Sequence, residues 1–221
     1  MTGGDCFGNL PFGIISFVNN IIRKRKEVYH AQFNEDAFLD GLFRKIGTTN
    51  RLLVDIGAND GRFCSNTHFF VEQGWEGIFV EPDEKAYAKL VKVHDPEWCF
   101  KEKITVENTI DRLLSKADFP LSFDLMSLDI DGQEYWVWQD MTRYRARVVV
   151  VEWSPYVQCD FIPELGSDGK DGYNQTGIHP MFRLALDKNY YVVAITPTNL
   201  ICVDQQYAPE RKLYWNGNFP L

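Results

Sequence analysis

The chain predicts an α/β fold with a mostly parallel sheet, and three observations predict it. Apolar strand candidates alternate with helical patterns: Leu52 to Ile56 precedes a helix over Phe63 to Glu72, and Gly77 to Val80 precedes one over Glu84 to Val91. Such strand–helix units assemble as right-handed parallel crossovers with helices on the sheet faces. A glycine-punctuated turn, Gly57-Ala58-Asn59-Asp60-Gly61, directly follows the first strand, and Glu81 stands at the end of the second. Two further apolar runs, Phe123 to Ile130 and Val148 to Val151, bring Asp129 and Glu152 to their carboxyl ends. Ligands approach an open α/β sheet at that edge.

In chain order, Leu10 to Ile22 is apolar but too short and too interrupted for a membrane span, and Arg23 to Lys26 follow it. It is either an amphipathic element touching lipid or a partner, or a segment packed on the domain. Phe38, Leu39, Leu42, Phe43 and Ile46 recur at helical spacing and the run stops at Gly47, so a helix leads into the first strand. Glu35 and Asp36 at its start read as helix-terminus acids; Gln32 either joins them or points inward. Ile104 to Glu107 is a short strand candidate, and Asp111 a cap for the helix containing Leu113 and Leu114. Glu134 opens a helix, where it serves either the helix terminus or the reaction. Arg143, Arg145 and Arg147 read as solvated turn residues or a local anion site. The irregular stretch 154 to 179 suits a loop over a site, with Tyr156, Tyr173, Asn174 and His179 as contact candidates. A helix around Phe182 to Leu186 and a strand pair, Tyr190 to Ile195 and Leu200 to Val203, close the chain with an antiparallel terminal strand.

A chain of 221 residues, 45% hydrophobic, supports one compact domain, 30 to 221, after an N-terminal segment, 1 to 29. Net charge of -8 argues against a surface built for nucleic-acid phosphates and favours a small or neutral substrate. Cys6, Cys64, Cys99, Cys159 and Cys202 are scattered, which reads as free thiols and a cytoplasmic setting.

The glycine turn lacks the middle glycine of a dinucleotide fingerprint, so it suits a nucleoside cofactor without a pyrophosphate. Asp-Ile-Gly-Ala-Asn-Asp-Gly followed by Phe-Val-Glu-Pro resembles the first two cofactor motifs of class I S-adenosylmethionine-dependent methyltransferases. Ala31 to Asp36, Asn108 to Asp111 and Leu128 to Glu134 are similar to stretches of the FkbM-like branch of that family. The resemblance spans roughly residues 30 to 155. It implies a Rossmann-like class I methyltransferase fold, here shortened after the second helix, with Trp98 and Phe100 as candidates to complete the adenine wall.

The resemblance implies S-adenosylmethionine as cofactor. Asp55 with the Gly57–Gly61 turn, including Ala58, Asn59 and Asp60, would anchor its amino-acid part. Glu81 with Pro82 would hold the ribose, and Gln32 and Asp129 would border the cofactor. Methyl transfer to a hydroxyl of a small acceptor such as a sugar follows, with Asp129, Asp131 and Glu152 as the acidic group that manages the hydroxyl proton. The same carboxylates could instead ligate a divalent cation, or pair structurally. Two other classes remain open: a cofactor-binding protein without catalysis, and an NAD-dependent oxidoreductase, since Glu81 suits a ribose there too.

Overall fold

The structure, a computed structural model, describes residues 29 to 167 and 174 to 208. The N-terminal segment, apart from Tyr29, lies outside them, as do the apolar run Leu10 to Ile22 and Tyr173. No helix among the described residues is long and apolar enough to cross a membrane.

Seven strands form one sheet: β1 (Leu52–Ile56), β2 (Glu76–Val80), β3 (Cys99–Phe100), β4 (Ser122–Leu128), β5 (Arg145–Glu152), β6 (Tyr190–Ile195) and β7 (Asn199–Asp204). Their order is β3-β2-β1-β4-β5-β7-β6. Only β7 runs antiparallel to its neighbours, pairing Val150 with Ile201 on β5 and Tyr191 with Val203 on β6. The helices are α1 (Glu35–Ile46), α2 (His68–Glu72), α3 (Glu84–Val93), α4 (Ile110–Lys116), α5 (Glu134–Asp140) and α6 (Ile178–Asp187). Because both sheet faces are covered, β1 is apolar on both: Leu53 joins Phe38, Leu39, Phe69 and Phe70, while Val54 and Ile56 join Leu113, Val137 and Met181. Asp55 therefore lies on the face of Leu53, toward α1 and α2.

Several expected elements differ. Residues 63 to 67 are not helical. Asp60 Oδ1 accepts the Arg62 and Phe63 N–H groups, Cys64 is left-handed at φ 55, and Ser65 Oγ accepts the N–H of Thr67 and His68. This side-chain bonding displaces the helix start from the expected Phe63 to His68. The strand expected at Ile104 is instead β3, which pairs with β2 at Phe79 and Val80. Thr109, not Asp111, caps α4 through the Arg112 N–H. Asp111 accepts instead from the Thr142, Arg143 and Tyr144 backbone.

Of the three clustered arginines, only Arg143 sits in the turn. Arg145 opens β5 and pairs with Asp204. Arg147 is 3% exposed and lies 2.6 Å from Asp124, which is 0% exposed and also accepts the N–H groups of Thr49, Asn50 and Arg51. This buried pair ties the α1–β1 connection to β4 and β5, at the sheet end opposite the acids. Cys64, Cys99 and Cys202 are free, but Cys159 is disulfide-bonded, which corrects the reading of five free thiols.

Candidate functional site

At the carboxyl edge of the parallel strands lies a cleft of about 760 Å³, bordered by Asp55, Gly57, Glu81, Asp129, Asp131 and Glu152 among others. β1 delivers Asp55 and the glycine turn. The N–H groups of Gly57 and Ala58 both donate to Val80 O at 2.9 Å, which folds the turn across the end of β2. Gly57 has φ 86, and a Cβ there would stand 1.6 Å from Asp129 O, so only glycine lets β1 and β4 end side by side. Gly61 has another task. His94 packs against it, with Nε2 3.0 Å from its carbonyl oxygen, and stacks on Phe79 at 3.8 Å between ring centres.

Glu81 is 8% exposed, and its two oxygens accept the Asn59 N–H at 2.9 Å and the Asp83 N–H at 2.7 Å. Each carboxylate oxygen keeps a further lone pair for a ligand. Asp55 receives the Thr67 hydroxyl at 2.5 Å. Burial lifts its carboxyl to about 7 against that hydrogen bond, with repulsion from Asp129 and Glu81 adding to the rise.

At the ends of β4 and β5, carboxylate oxygens of Asp129, Glu134 and Glu152 lie within 4.8 Å of one another. Asp129 opens onto the cleft yet is ringed by protein. Desolvation raises its carboxyl to about 6, Asp131 adds repulsion, and a hydrogen bond from Glu152 opposes both. Glu152 is raised well above its ordinary value, first by desolvation and then by the Asp129 charge. The proton of this pair therefore resides on Glu152, and Asp129 is the ionised acceptor. Gln175 Nε2 donates to Glu152 Oε2 at 2.8 Å.

Glu134 is 1% exposed and accepts the N–H of Ile130 and Gly132, closing the turn after β4. Burial raises its carboxyl to about 7. With both oxygens engaged by backbone, Glu134 serves that turn. A hard cation, which seeks six or more oxygen ligands, finds a poor donor set at this cluster.

The predicted residues thus divide. Asp55, Gly57, Ala58, Asn59, Glu81, Pro82, Asp129, Asp131 and Glu152 border the cleft; Gln32, Asp60 and Gly61 do not, and Gln32 is exposed rather than turned inward. Asp131 is left-handed at φ 58, and Glu134 takes the place beside Asp129 and Glu152 expected for it. His179 meets Asp160 at 3.3 Å, outside the lining, as is the 71%-exposed Tyr156. Trp98 and Phe100 are also outside it, whereas Glu102, Lys103 and Ile104 border it. Thr67, Asn66 and Gln175 were not singled out by sequence, since each reaches its acid or Ser127 only through the fold.

Asp36 Oδ1 accepts the Ala37 N–H in the first turn of α1 at 2.9 Å, whereas Glu35 makes no such bond to the helix. Asp36 holds the preceding strap by accepting the His30 and Ala31 N–H groups, and Glu35 accepts from Phe33 N–H, Thr196 and Asn199.

No family model matches this sequence, and no curated protein does so. Solved structures do match. A Staphylococcus aureus protein described as a caffeoyl-CoA O-methyltransferase aligns with 12% identity and a TM-score of 0.53, over 86% of this chain and 91% of its own. S-adenosylmethionine-bound CalS10, an amino pentose methyltransferase from Micromonospora echinaspora involved in calicheamicin biosynthesis, aligns with 11% identity and a TM-score of 0.51, over 89% and 98%. The sheet order, its one antiparallel strand and these neighbours show the Rossmann-like methyltransferase fold.

Proposed function

We propose that the chain is an S-adenosylmethionine-dependent methyltransferase of the FkbM-like kind that methylates a hydroxyl of a small, uncharged or cationic acceptor such as a sugar. The observation that carries this reading is the charge of the cleft. Its carboxylates come from the ends of five neighbouring strands, β3, β2, β1, β4 and β5, or the loops after them, and Lys103 is its only basic residue among the described ones. A pyrophosphate would meet repulsion there, whereas a sulfonium and an ammonium meet attraction. The donor set fits S-adenosylmethionine: Glu81 for ribose hydroxyls, Asp55 and the Gly57 turn for the amino-acid portion, Glu102 to Ile104 beside the base. When bound, the cofactor supplies an electrophilic methyl group.

The chain's own residues position the acceptor and take its proton. As the new O–C bond forms and the C–S bond breaks, the hydroxyl proton passes to Asp129, whose partner Glu152 already holds one. Thr67 and Gln175 fix the orientation of Asp55 and Glu152.

The test is transfer of labelled methyl from S-adenosylmethionine to a panel of neutral, amino and phosphorylated sugars. Transfer to neutral or amino sugars, lost in Asp129→Asn, is the expected result. Selective transfer to phosphorylated acceptors, or S-adenosylmethionine binding with no transfer to any hydroxylated acceptor, would overturn the proposal.

A further inference from the structure

Away from the cleft, His30, His68 and Glu72 offer ligand atoms that all lie within 4.8 Å of one another. His68 and Glu72 are four residues apart on α2 and so share a face. His30 comes from the strap before α1. Both histidine backbones are pinned: Asp36 Oδ2 accepts the His30 N–H at 2.6 Å, and Ser65 Oγ accepts the His68 N–H at 3.0 Å.

His30 Nε2 lies 3.1 Å from Glu72 Oε2, and His68 Nε2 lies 3.4 Å from Glu72 Oε1. Tetrahedral bonds of about 2.0–2.1 Å place neighbouring ligand atoms about 3.3–3.4 Å apart.

Arg62 Nε–H donates to His68 Nε2 at 3.2 Å, so that nitrogen presents a lone pair. It therefore cannot also donate to Glu72 Oε1. Two acceptors face each other at 3.4 Å, with His68 Nδ1 buried and unpartnered on the far side of the ring. A lone-pair imidazole nitrogen beside a carboxylate is the arrangement a borderline transition metal resolves, and neutral imidazole with carboxylate favours zinc over magnesium or calcium.

We propose that His30, His68 and Glu72 bind a Zn²⁺-class ion that clamps the strap before α1 onto α2. His30 shifts its ring proton to Nδ1, and the exposed Arg62 side chain swings away, leaving a fourth position for water. The clamp bears on the cleft, because Ala31 beside His30 bridges Cys64, which lines it.

The experiment is titration of the untagged, full-length, metal-stripped protein with Zn²⁺ alone by calorimetry, and with Co²⁺ by visible absorption. The background is Cys64→Ser, so that this exposed thiol does not contribute. One site per chain is expected, with a tetrahedral Co²⁺ band. His30→Ala and Glu72→Gln should each weaken Zn²⁺ binding by more than about 100-fold, beyond the 10–100-fold that loss of an outer partner causes. Arg62→Ala should tighten it, whereas Asp129→Asn should leave it unchanged. All four changes avoid the buried His68, and far-ultraviolet circular dichroism confirms that each variant is folded. No stoichiometric Zn²⁺ binding, or binding equal in wild type, His30→Ala and Glu72→Gln, overturns the proposal.

Discussion

At Gly57, a methyl group would collide with the backbone of Asp129 while φ stands at 86. Gly57→Val is therefore expected to abolish cofactor binding and to cost at least the roughly 1–3 kcal/mol of a strained backbone position. Calorimetric titration and a melting curve on the same sample check both parts. Asp129 and Glu152 act on a different quantity. Asp129→Asn or Glu152→Gln should lower methyl transfer by about 10²–10⁴-fold while leaving S-adenosylmethionine affinity within roughly a few-fold. The Asp129 carboxyl titrates at about 6 and must be ionised to accept a proton. Transfer rate in wild type should then rise with pH through about 6 and level off above it, and the residual rate of Asp129→Asn should lack that step; the same step in both proteins would remove Asp129 as the base.

The Arg147–Asp124 pair governs the opposite end of the sheet at the level of whole elements. Arg147→Met leaves Asp124, 0% exposed, with its charge facing only backbone N–H groups. Loss of about 3–5 kcal/mol in urea unfolding is expected, more than for the double replacement with apolar residues. Nothing in the local sequence distinguished this arginine from Arg143, because its partner is 23 residues away and reached only through strand pairing. The elements that were legible have strong periodic patterns: α1 ends at Gly47 as its spacing predicts, and β1 and β6 carry their expected bounds. Misreadings fall where a polar side chain captures backbone, as with Asp60 and Ser65 ahead of α2, or where an element is two residues long, as with β3. In the site, strand-end acids were readable because an acid directly after an apolar strand must lie at that edge of the sheet. Thr67 and Gln175 were not, since no spacing rule links them to their acids.

Across the whole molecule, buried acids at the carboxyl edge of the sheet set a pH dependence of stability. The Asp55 and Glu134 carboxyls are raised from 3.8 and 4.5 to about 7, so the folded protein binds protons that the unfolded chain has released. That stabilisation is fully present below about pH 4 and is lost as pH rises to about 7. Thermal or urea unfolding should show these two groups' contribution falling across that window, and Asp55→Asn should flatten part of the slope. An identical slope in that variant would show that Asp55 does not retain its proton on folding.

The central claim is that this cleft holds a cationic, pyrophosphate-free cofactor, and paired calorimetric titrations with S-adenosylmethionine and NAD test it most directly. The account predicts one S-adenosylmethionine site per chain and no NAD binding. Glu81→Ala should weaken that site by about 10–100-fold, the loss of hydrogen bonds to a charged group. Binding of NAD in preference to S-adenosylmethionine, or S-adenosylmethionine affinity unchanged in folded Glu81→Ala and Gly57→Val proteins, would contradict it.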